Sequence, residues 1–205
     1  MVAIIDYGMG NLKSVYNALD ILGCEPKIVS DPDKLKSFDH VILPGVGSFR
    51  LCMENLRKDG FDESLMTFIK SGKPLMGICL GMQILASHGF EDGESKGLNI
   101  IPGEVIKFDD SNTQISIPHV GWNDVEFNLN GKALTKKINT NDTFYFTHSY
   151  YFKPNDESFT FSKTFYGSYF TSSVLKENVF ATQFHPEKSQ DVGLKLFKNF
   201  INWIP

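Results

Sequence analysis

The sequence predicts an α/β protein with a mostly parallel central sheet, helices flanking that sheet, and antiparallel strands appended in its second half. Three observations lead to this prediction. Short apolar runs alternate with amphipathic helical patterns through roughly the first hundred residues, which is typical of a buried parallel sheet. The second half holds most of the aromatic residues, in segments also rich in Thr and Ser, and this composition favours strands. No hinge rich in Pro, Gly or Ser separates the halves, so we expect a single domain over residues 1–205.

The first strand is predicted at Val2–Ile5, a short apolar run. A helix follows, for which Asn11 is suited as N-cap and which Gly23 closes. Its apolar positions recur at helical spacing: Leu12, Val15, Tyr16, Leu19 and Leu22. Residues 41–43 form the next apolar run, which ends at the dipeptide Pro44-Gly45.

A helical pattern runs on from there through Leu56, and a second is marked by Leu65, Phe68 and Ile69. Residues 74–78 are again apolar and predict a strand, and residues 80–88 predict the helix that follows it. Together these elements describe a strand–helix alternation, from which the parallel sheet is inferred.

The second half predicts antiparallel strands at residues 143–146, 159–165, 167–174 and 179–184. The last two segments are separated by Lys176-Glu177-Asn178, which favours a turn. The C-terminal residues 189–204 predict an amphipathic helix. Its apolar side consists of Val192, Leu196, Phe197, Phe200 and Trp203.

Charge and cysteine content exclude several classes of function. The net charge is −4 and no basic run exceeds a pair, so the sequence offers no footprint for nucleic acid or anionic lipid. The three cysteines are an odd number without a C-x-x-C pair, which argues against a disulfide framework or a structural zinc site. No apolar stretch approaches the ~18 residues of a membrane span, and with reduced cysteines the expected location is the cytoplasm.

The sharpest local signal is the sequence G-I-C-L-G at residues 77–81, between an apolar run and a helical pattern. Glycines on both sides let a strand turn abruptly into a helix, which lifts the central Cys79 side chain into a cleft at the sheet edge. The free amides at the helix start favour a thiolate and offer the Leu80 amide as an oxyanion donor. The alternative is a buried cysteine between glycines that merely pack.

A nucleophilic thiol needs a proton partner, and five histidines compete for that role. His185 follows a predicted strand, and Pro186 favours an extended backbone at the residue before it. In an extended chain Glu187 shares a face with His185 and can orient the ring. His40 and His88 are expected to be structural or exposed. The spacing alone therefore favours His185 without deciding for it, and His119 and His148 stay open.

The glycine-rich turn P-G-V-G at residues 44–47 directly follows a predicted strand. In a parallel sheet this turn lies on the same edge as Cys79, where a backbone amide of Val46 or Gly47 can face a developing oxyanion. The alternative is an ordinary strand-to-helix loop. The pair Gly8 and Gly10 lacks the third glycine of a dinucleotide fingerprint, and no zinc-ligand or Walker motif occurs, so no metal or other cofactor is expected.

Taken together, six motifs resemble the class I (triad) glutamine amidotransferases, and most of all the members that serve as glutaminase subunits in histidine biosynthesis. The motifs follow in order along nearly the whole chain, and their joint occurrence is highly specific. They are D-Y-G-M-G-N (6–11), P-G-V-G-S-F (44–49), G-I-C-L-G-M-Q (77–83), P-H-V-G-W-N (118–123), H-S-Y-Y (148–151) and Q-F-H-P-E-K-S (183–189).

The resemblance implies a flavodoxin-like fold and a catalytic triad of Cys79, His185 and Glu187. Cys79 would attack the side-chain amide of L-glutamine, and His185 would relay protons while Glu187 orients it. The amides of Val46, Gly47 and Leu80 would form the oxyanion hole. In the same family pattern Gln83 contacts the substrate, and the backbone at His148 and Ser149 holds its amino-acid end.

The resemblance also implies a partner, because these enzymes pass ammonia to a synthase. A barrel-type synthase or cyclase needs about 200 residues or more, so we expect it on a separate chain, in a heterodimer. Trp122 and Lys188 lie beside active-site motifs and are candidate interface residues. The alternatives are core packing for Trp122 and a solvated position for Lys188. A stand-alone hydrolase and a binding module without activity are the competing functional interpretations.

Some positions depart from the histidine-pathway pattern, although the triad is intact. Arg50 stands where a small residue is usual, and residues 84–91 lack the usual Phe and acidic stretch. Val120 and Ala181 replace a frequent Met and a frequent Gly. The acceptor of the ammonia is therefore open: histidine biosynthesis is favoured, and the alternative is a related pair that amidates nucleotide or surface-polysaccharide sugars.

Overall fold

The computed structural model describes residues 1–111, 115–128 and 133–205. The elements in chain order are β1 (Val2–Ile5), α1 (Leu12–Ile21), β2 (Lys27–Val29), β3 (His40–Gly45), α2 (Phe49–Lys58), α3 (Phe61–Lys70), β4 (Leu75–Cys79), α4 (Leu80–Gln83), β5 (His88–Gly89), β6 (Ser95–Lys96), β7 (Gly103–Lys107), β8 (His119–Asp124), β9 (Glu126–Phe127), β10 (Thr143–His148), β11 (Tyr150–Pro154), β12 (Thr160–Tyr166), β13 (Ser168–Lys176), β14 (Val179–Thr182) and α5 (Gln190–Ile201). Short 3₁₀ turns lie at Pro32–Ser37, Glu157–Phe159 and Pro186–Lys188.

The main sheet has eight strands in the order β2-β1-β3-β4-β14-β13-β12-β9. The first five of these are parallel, and β12 and β13 continue the sheet with antiparallel pairing. The order of the parallel strands is that of a doubly wound, flavodoxin-like sheet. The predicted fold class is confirmed, and its topology places the loops after the parallel strands along one edge.

The two faces of the main sheet are covered by different helices. Ala3 and Ile5 belong to a core cluster with buried residues of α2 and α3, whereas Val2 and Ile4 pack with buried residues of α1 and α5. Alternation follows from the two-residue period of a strand, and both faces are apolar because both are covered. This explains why the parallel strands are continuous apolar runs in the sequence.

One prediction about the second half of the chain was wrong. The segment at 179–184 was expected among the antiparallel strands, but β14 pairs in parallel with β4 and completes the parallel core, while β13 pairs antiparallel on its other side. The segment at 143–146 extends into β10, which pairs with β8 in a separate two-stranded sheet. A third sheet has the order β11-β7-β5-β6.

The helix predicted at residues 80–88 ends after Gln83. Beyond it the carbonyl groups of Ile84 and Leu85 accept hydrogen bonds from the amides of Leu98 and Ile100, at 2.8 and 2.9 Å. A second chain segment thus takes the acceptors that a longer helix would use, and the apolar side chains pack as irregular backbone. The helical periodicity of this stretch carries no information about that competing segment.

The other helices start and end close to their predicted positions. Asn11 accepts a hydrogen bond from the Ser14 amide at 3.3 Å and caps α1, and Gly23 has a φ of 72° just beyond it. Among the described residues, no helix has both the length and the apolar character needed to cross a membrane.

Candidate active site

A cavity of about 330 Å³ opens at the carboxyl-terminal edge of the parallel strands. Because β3, β4 and β14 run in the same direction, the segments that follow them meet there. All eight predicted catalytic, oxyanion-hole and substrate residues other than Glu187 line this cavity: Val46, Gly47, Cys79, Leu80, Gln83, His148, Ser149 and His185. The structure therefore brings together residues that lie up to 139 positions apart in the sequence, from 46 to 185.

Cys79 ends β4 in a strained backbone conformation, with φ 55° and ψ −110°. A non-glycine residue in this region is uncommon and costs free energy, and such strain is concentrated at functional sites. The turn can be this tight because residue 81 is glycine: a Cβ atom there would overlap the carbonyl oxygen of Leu43 on β3. The side chain of Cys79 is consequently held at the junction of strand and helix, as in a nucleophile elbow.

His185 lines the same cavity as Cys79, and both its backbone amide and its backbone carbonyl are hydrogen-bonded. Its amide donates to the Tyr145 carbonyl at 2.9 Å, and the Ser189 hydroxyl donates to its carbonyl at 2.6 Å. The backbone is extended, as Pro186 predicts, with φ −101° and ψ 95°. The following residues turn into a 3₁₀ helix rather than continuing as a strand, and this turn brings Glu187 back to the ring.

The His185 Nδ1 atom and the Glu187 Oε1 atom are 2.6 Å apart, and both side chains are only 2% exposed. Burial disfavours the protonated ring, but the nearby Cys79 sulfur and the Glu187 carboxylate outweigh burial and raise the pKa of His185 above its ordinary value of 6.5. The Nε2 atom has no hydrogen-bond partner among the described residues. The geometry leaves that nitrogen available for proton transfer at the cavity.

The turn that carries Val46 and Gly47 is stabilised by a hydrogen bond from Tyr7. The buried Tyr7 hydroxyl donates to the Pro44 carbonyl at 2.8 Å, and Gly47 has a φ of 103°, which favours glycine. Leu80 begins α4, where first-turn amides have no acceptor within the helix. The amides of this turn and of Leu80 thus border the cavity from adjacent strands.

Gln83 lies one helical turn after Cys79, and its side-chain nitrogen donates to the Tyr150 carbonyl at 2.9 Å. The same nitrogen donates to Oε1 of Gln183 at 3.0 Å. Gln183 is fully buried, and sequence reasoning included it only as part of a motif. Its side chain touches the nucleophile, a contact that no spacing argument along the chain could have revealed.

The comparisons with known proteins agree with this geometry. The family model described as glutamine amidotransferase class-I matches residues 3–203. This chain belongs to the class I glutamine amidotransferases.

The amidotransferase is similar to full-length relatives of one kind. It is 42% identical over 204 residues to the imidazole glycerol phosphate synthase subunit HisH of Syntrophotalea carbinolica, with 98% of each chain covered. It is 47% identical over 201 residues to the subunit HisH 1 of Campylobacter jejuni subsp. jejuni serotype O:23/36, again with 98% of each covered. Among solved structures, PurLQS from Thermotoga maritima matches with a TM-score of 0.78 at 22% identity, covering 100% of this chain and 98% of that chain, which supports the fold alone.

The amidotransferase cavity contains an acidic residue that the sequence prediction missed. Glu91 lines the cavity, and its Oε2 atom accepts a hydrogen bond from the Phe49 amide at 2.8 Å. Burial raises the pKa of this carboxyl group. Arg50, which departs from the family pattern, contacts the Asp92 carbonyl and the Ser95 hydroxyl in the segment that follows Glu91. Glu91 lies in a loop beyond a helix that was predicted too long, and no local sequence pattern indicates that its carboxylate reaches the cavity.

The two predicted interface residues lie on one surface patch beside the triad. Trp122 is 47% exposed and meets the ring of Tyr145 edge to face, with ring centroids 6.1 Å apart. The Nζ atom of Lys188 lies over the same ring, 5.6 Å from its centroid. We call Trp122, Tyr145 and Lys188 the aromatic patch. The exposed indole of Trp122 is not in the core, contrary to the packing alternative.

Proposed function

We propose that this amidotransferase is the glutaminase subunit of an imidazole glycerol phosphate synthase. It hydrolyses L-glutamine to L-glutamate and ammonia through a cysteinyl thioester, and a separate synthase subunit uses the ammonia to make imidazole glycerol phosphate and AICAR. The observation that carries the glutaminase proposal is the strained Cys79 beside the buried His185–Glu187 pair in one cavity. The relatives named HisH support the choice of acceptor over sugar amidation.

In the acylation step the thiolate of Cys79 attacks the side-chain amide carbon of glutamine. The carbonyl oxygen takes up the negative charge and is stabilised by the amides of Leu80 and of the turn at Val46 and Gly47. Protonated His185 then gives its Nε2 proton to the nitrogen, the C–N bond breaks, and ammonia leaves behind the γ-glutamyl thioester.

In the deacylation step neutral His185 accepts a proton from a water molecule as its oxygen attacks the thioester carbon. The same backbone amides face the second oxyanion. Its collapse breaks the C–S bond, releases glutamate and restores the Cys79 thiolate and the protonated His185. Throughout, Glu187 keeps Nδ1–H of the ring in place and stabilises the positive charge.

The amino-acid end of glutamine would be held by other residues of the cavity lining. Its ammonium group needs a carboxylate, and Glu91 supplies one in the cavity lining with Oε1 outside the Phe49 hydrogen bond. Its carboxylate group needs donors, and His148 and Ser149, whose backbone would supply them, line the same cavity. This arrangement favours a zwitterionic substrate over a simple amide.

The decisive test is Cys79→Ala in the complex with its synthase partner. We expect this variant to lose glutamine-dependent product formation while it keeps ammonia-dependent formation, because the acceptor site is on the other chain. Cys24→Ala is the matched control and should keep both activities, since Cys24 lies outside the cavity. Glutamine use that survives in Cys79→Ala would contradict the mechanism.

We further propose that the aromatic patch contacts a barrel-type synthase subunit in a heterodimer. The patch combines an exposed indole and a cation directly beside the residues that release ammonia, and aromatic and cationic anchors are common in interfaces. Lys188→Ala should weaken complex formation or uncouple glutamine hydrolysis from synthesis. Lys34→Ala is the control, because Lys34 pairs with Asp31 on a distant 3₁₀ turn. A Lys188→Ala protein with unchanged affinity and coupling would exclude this role.

A further inference from the structure

Gln183 occupies a position between the nucleophile and the proposed substrate-contacting residue. It follows β14 and has no solvent exposure, and its backbone amide donates to the Ser172 carbonyl at 2.8 Å. Its side-chain Nε2 atom lies 3.6 Å from Sγ of Cys79, within hydrogen-bonding distance of sulfur. Its Oε1 atom accepts the hydrogen bond from Gln83. One rigid amide therefore contacts both functional side chains.

The orientation of this amide is fixed by the chemistry of its neighbours. The Tyr150 carbonyl can only accept, so the side-chain atom of Gln83 that faces it must be the nitrogen. That nitrogen can only donate, so the atom of Gln183 that faces it must be Oε1. The remaining atom of Gln183, the NH₂ group, must then face the sulfur. The reverse orientation would place two donors against each other, with no acceptor between them.

A donor aimed at sulfur has a consequence for the reaction. An amide N–H stabilises a thiolate more than a thiol, because hydrogen bonding to the charged form favours that form. It also limits rotation of the Cys79 side chain, since the hydrogen bond from the Gln183 amide favours one direction of the sulfur. A hydrocarbon in place of this amide would remove one of the groups that stabilise the thiolate.

We propose that Gln183 is a positioning residue that holds the Cys79 sulfur as a thiolate directed at the cavity and keeps Gln83 in register with it. This inference rests on the proposed glutaminase function. It assigns a role to a buried amide that lies two residues before His185, directly after the strand that completes the parallel core.

The test measures alkylation of Cys79 by iodoacetamide as a function of pH, followed by mass spectrometry of the peptide that contains it. Gln183→Glu keeps an acceptor for Gln83 but turns an oxygen toward the sulfur, so we expect alkylation near neutral pH to slow at least about tenfold and its midpoint to rise. Gln183→Met keeps a side chain of similar shape but lacks the donor. Its alkylation midpoint should also rise, by less than that of Gln183→Glu. If the glutamate variant fails to fold, the methionine variant decides.

The control is Asn178→Leu, which removes another buried amide near the opposite end of β14. Asn178 donates to the Ile69 and Lys73 carbonyls at 2.9 and 2.7 Å and is not among the residues that line the cavity. This variant should lower stability and leave the alkylation profile unchanged. Cys24 in the same sample reports any general change in thiol reactivity.

Glutamine turnover in the complex separates the two proposals. We expect both Gln183 variants to lower kcat more than they raise KM, because the interaction acts on the nucleophile. If the wild-type complex turns over glutamine and both variants have the wild-type alkylation profile, the role of Gln183 is overturned and the proposed function is not. A wild-type complex that does not use glutamine overturns the proposed function itself, whatever the variants show.

Discussion

Two groups of buried histidines have pKa values shifted in opposite directions. One is His185, and the other is His148, which lines the same cavity, with His119, which is hydrogen-bonded to it. His185 is 1% exposed, and His119 and His148 are 3% and 6% exposed, so burial hardly distinguishes them. The pKa of His185 is raised, whereas burial lowers the pKa of His119 to about 4 and that of His148 to about 3. The difference is the partners: the Cys79 sulfur and the Glu187 carboxylate raise the pKa of His185, whereas the described neighbours that hydrogen-bond the other pair are uncharged.

The ring nitrogens of His119 and His148 all have hydrogen-bond partners when both rings are neutral, and we call these two residues the neutral pair. Nδ1–H of His148 donates to the Tyr150 carbonyl at 2.7 Å, so its Nε2 accepts from Nδ1–H of His119 at 3.1 Å. Nε2 of His119 in turn accepts from the Asn123 side-chain amide at 3.3 Å. The His119 ring is stacked between Phe146 and Tyr166. A buried histidine can thus be a neutral structural group or a proton carrier, depending on whether anionic groups lie next to it.

Glu187→Gln removes one of the two anionic partners that distinguish His185 from the other pair, and we expect the largest effect from it. The ring of His185 would lose its anionic partner, its pKa would fall, and an amide could hold the wrong tautomer. Glutamine-dependent kcat should fall on the order of 10⁴-fold, as kcat does when the orienting carboxylate of a serine-protease triad is replaced by its amide. Steady-state kinetics of the complex with glutamine, and with ammonia as the bypass, would measure this loss.

The matched control is Glu126→Gln, in which a surface carboxylate that accepts from the Tyr169 hydroxyl at 2.9 Å is neutralised. It should leave both activities intact. If Glu187→Gln stays within a few-fold of wild-type activity, the carboxylate does not set the state of His185.

Asn123→Asp makes the reverse change and should have an intermediate effect. It places a carboxylate beside Nε2 of His119, where an amide nitrogen now lies at 3.3 Å. The pKa of His119 should rise by at least about one unit, because an adjacent anion favours the imidazolium. Nuclear magnetic resonance titration of the ring would report the shift. Asn199→Asp, a side chain that donates to the Leu134 carbonyl at 2.9 Å far from these rings, is the control, and an unshifted His119 in Asn123→Asp would contradict the comparison.

The contrast also shows what the sequence could predict. The parallel core was predictable because apolar runs and helical periodicity are local, and Cys79 because the glycines of an elbow are adjacent to it. His185 could only be favoured by its spacing, since the contact with Glu187 comes from a 3₁₀ turn rather than from the extended chain that predicted it. The family resemblance, not the pattern, identified it among five histidines.

Other contacts of the site depend on pairings between distant segments and leave no local signal. The Gln83–Gln183 hydrogen bond spans 100 residues, and Glu91 reaches the cavity only because the helix after Cys79 ends early. The hydrogen bond from the Leu98 amide to the Ile84 carbonyl and the pairing of β14 with β4 are not marked by any hydrophobic periodicity in the sequence. Tertiary hydrogen bonding overrides local propensity at these places.

The smallest effect concerns stability in mild acid and follows from the neutral pair. His119 and His148 have lowered pKa values in the folded chain, so between their ordinary pKa of 6.5 and their folded values the unfolded chain binds protons that the folded chain does not. Their contribution to stability is therefore present above pH 6.5 and is lost as the pH falls toward 4.

His119→Phe keeps a ring between Phe146 and Tyr166 and removes one of the two titrating histidines. Urea unfolding at about pH 7.5 and pH 5 should show a stability loss on acidification that is about 1–2 kcal/mol smaller in the variant than in the wild type. Other titrating groups cancel in this comparison, so an identical loss in both proteins would mean that the pair already accepts a proton in the folded state, and the contrast with His185 would fail.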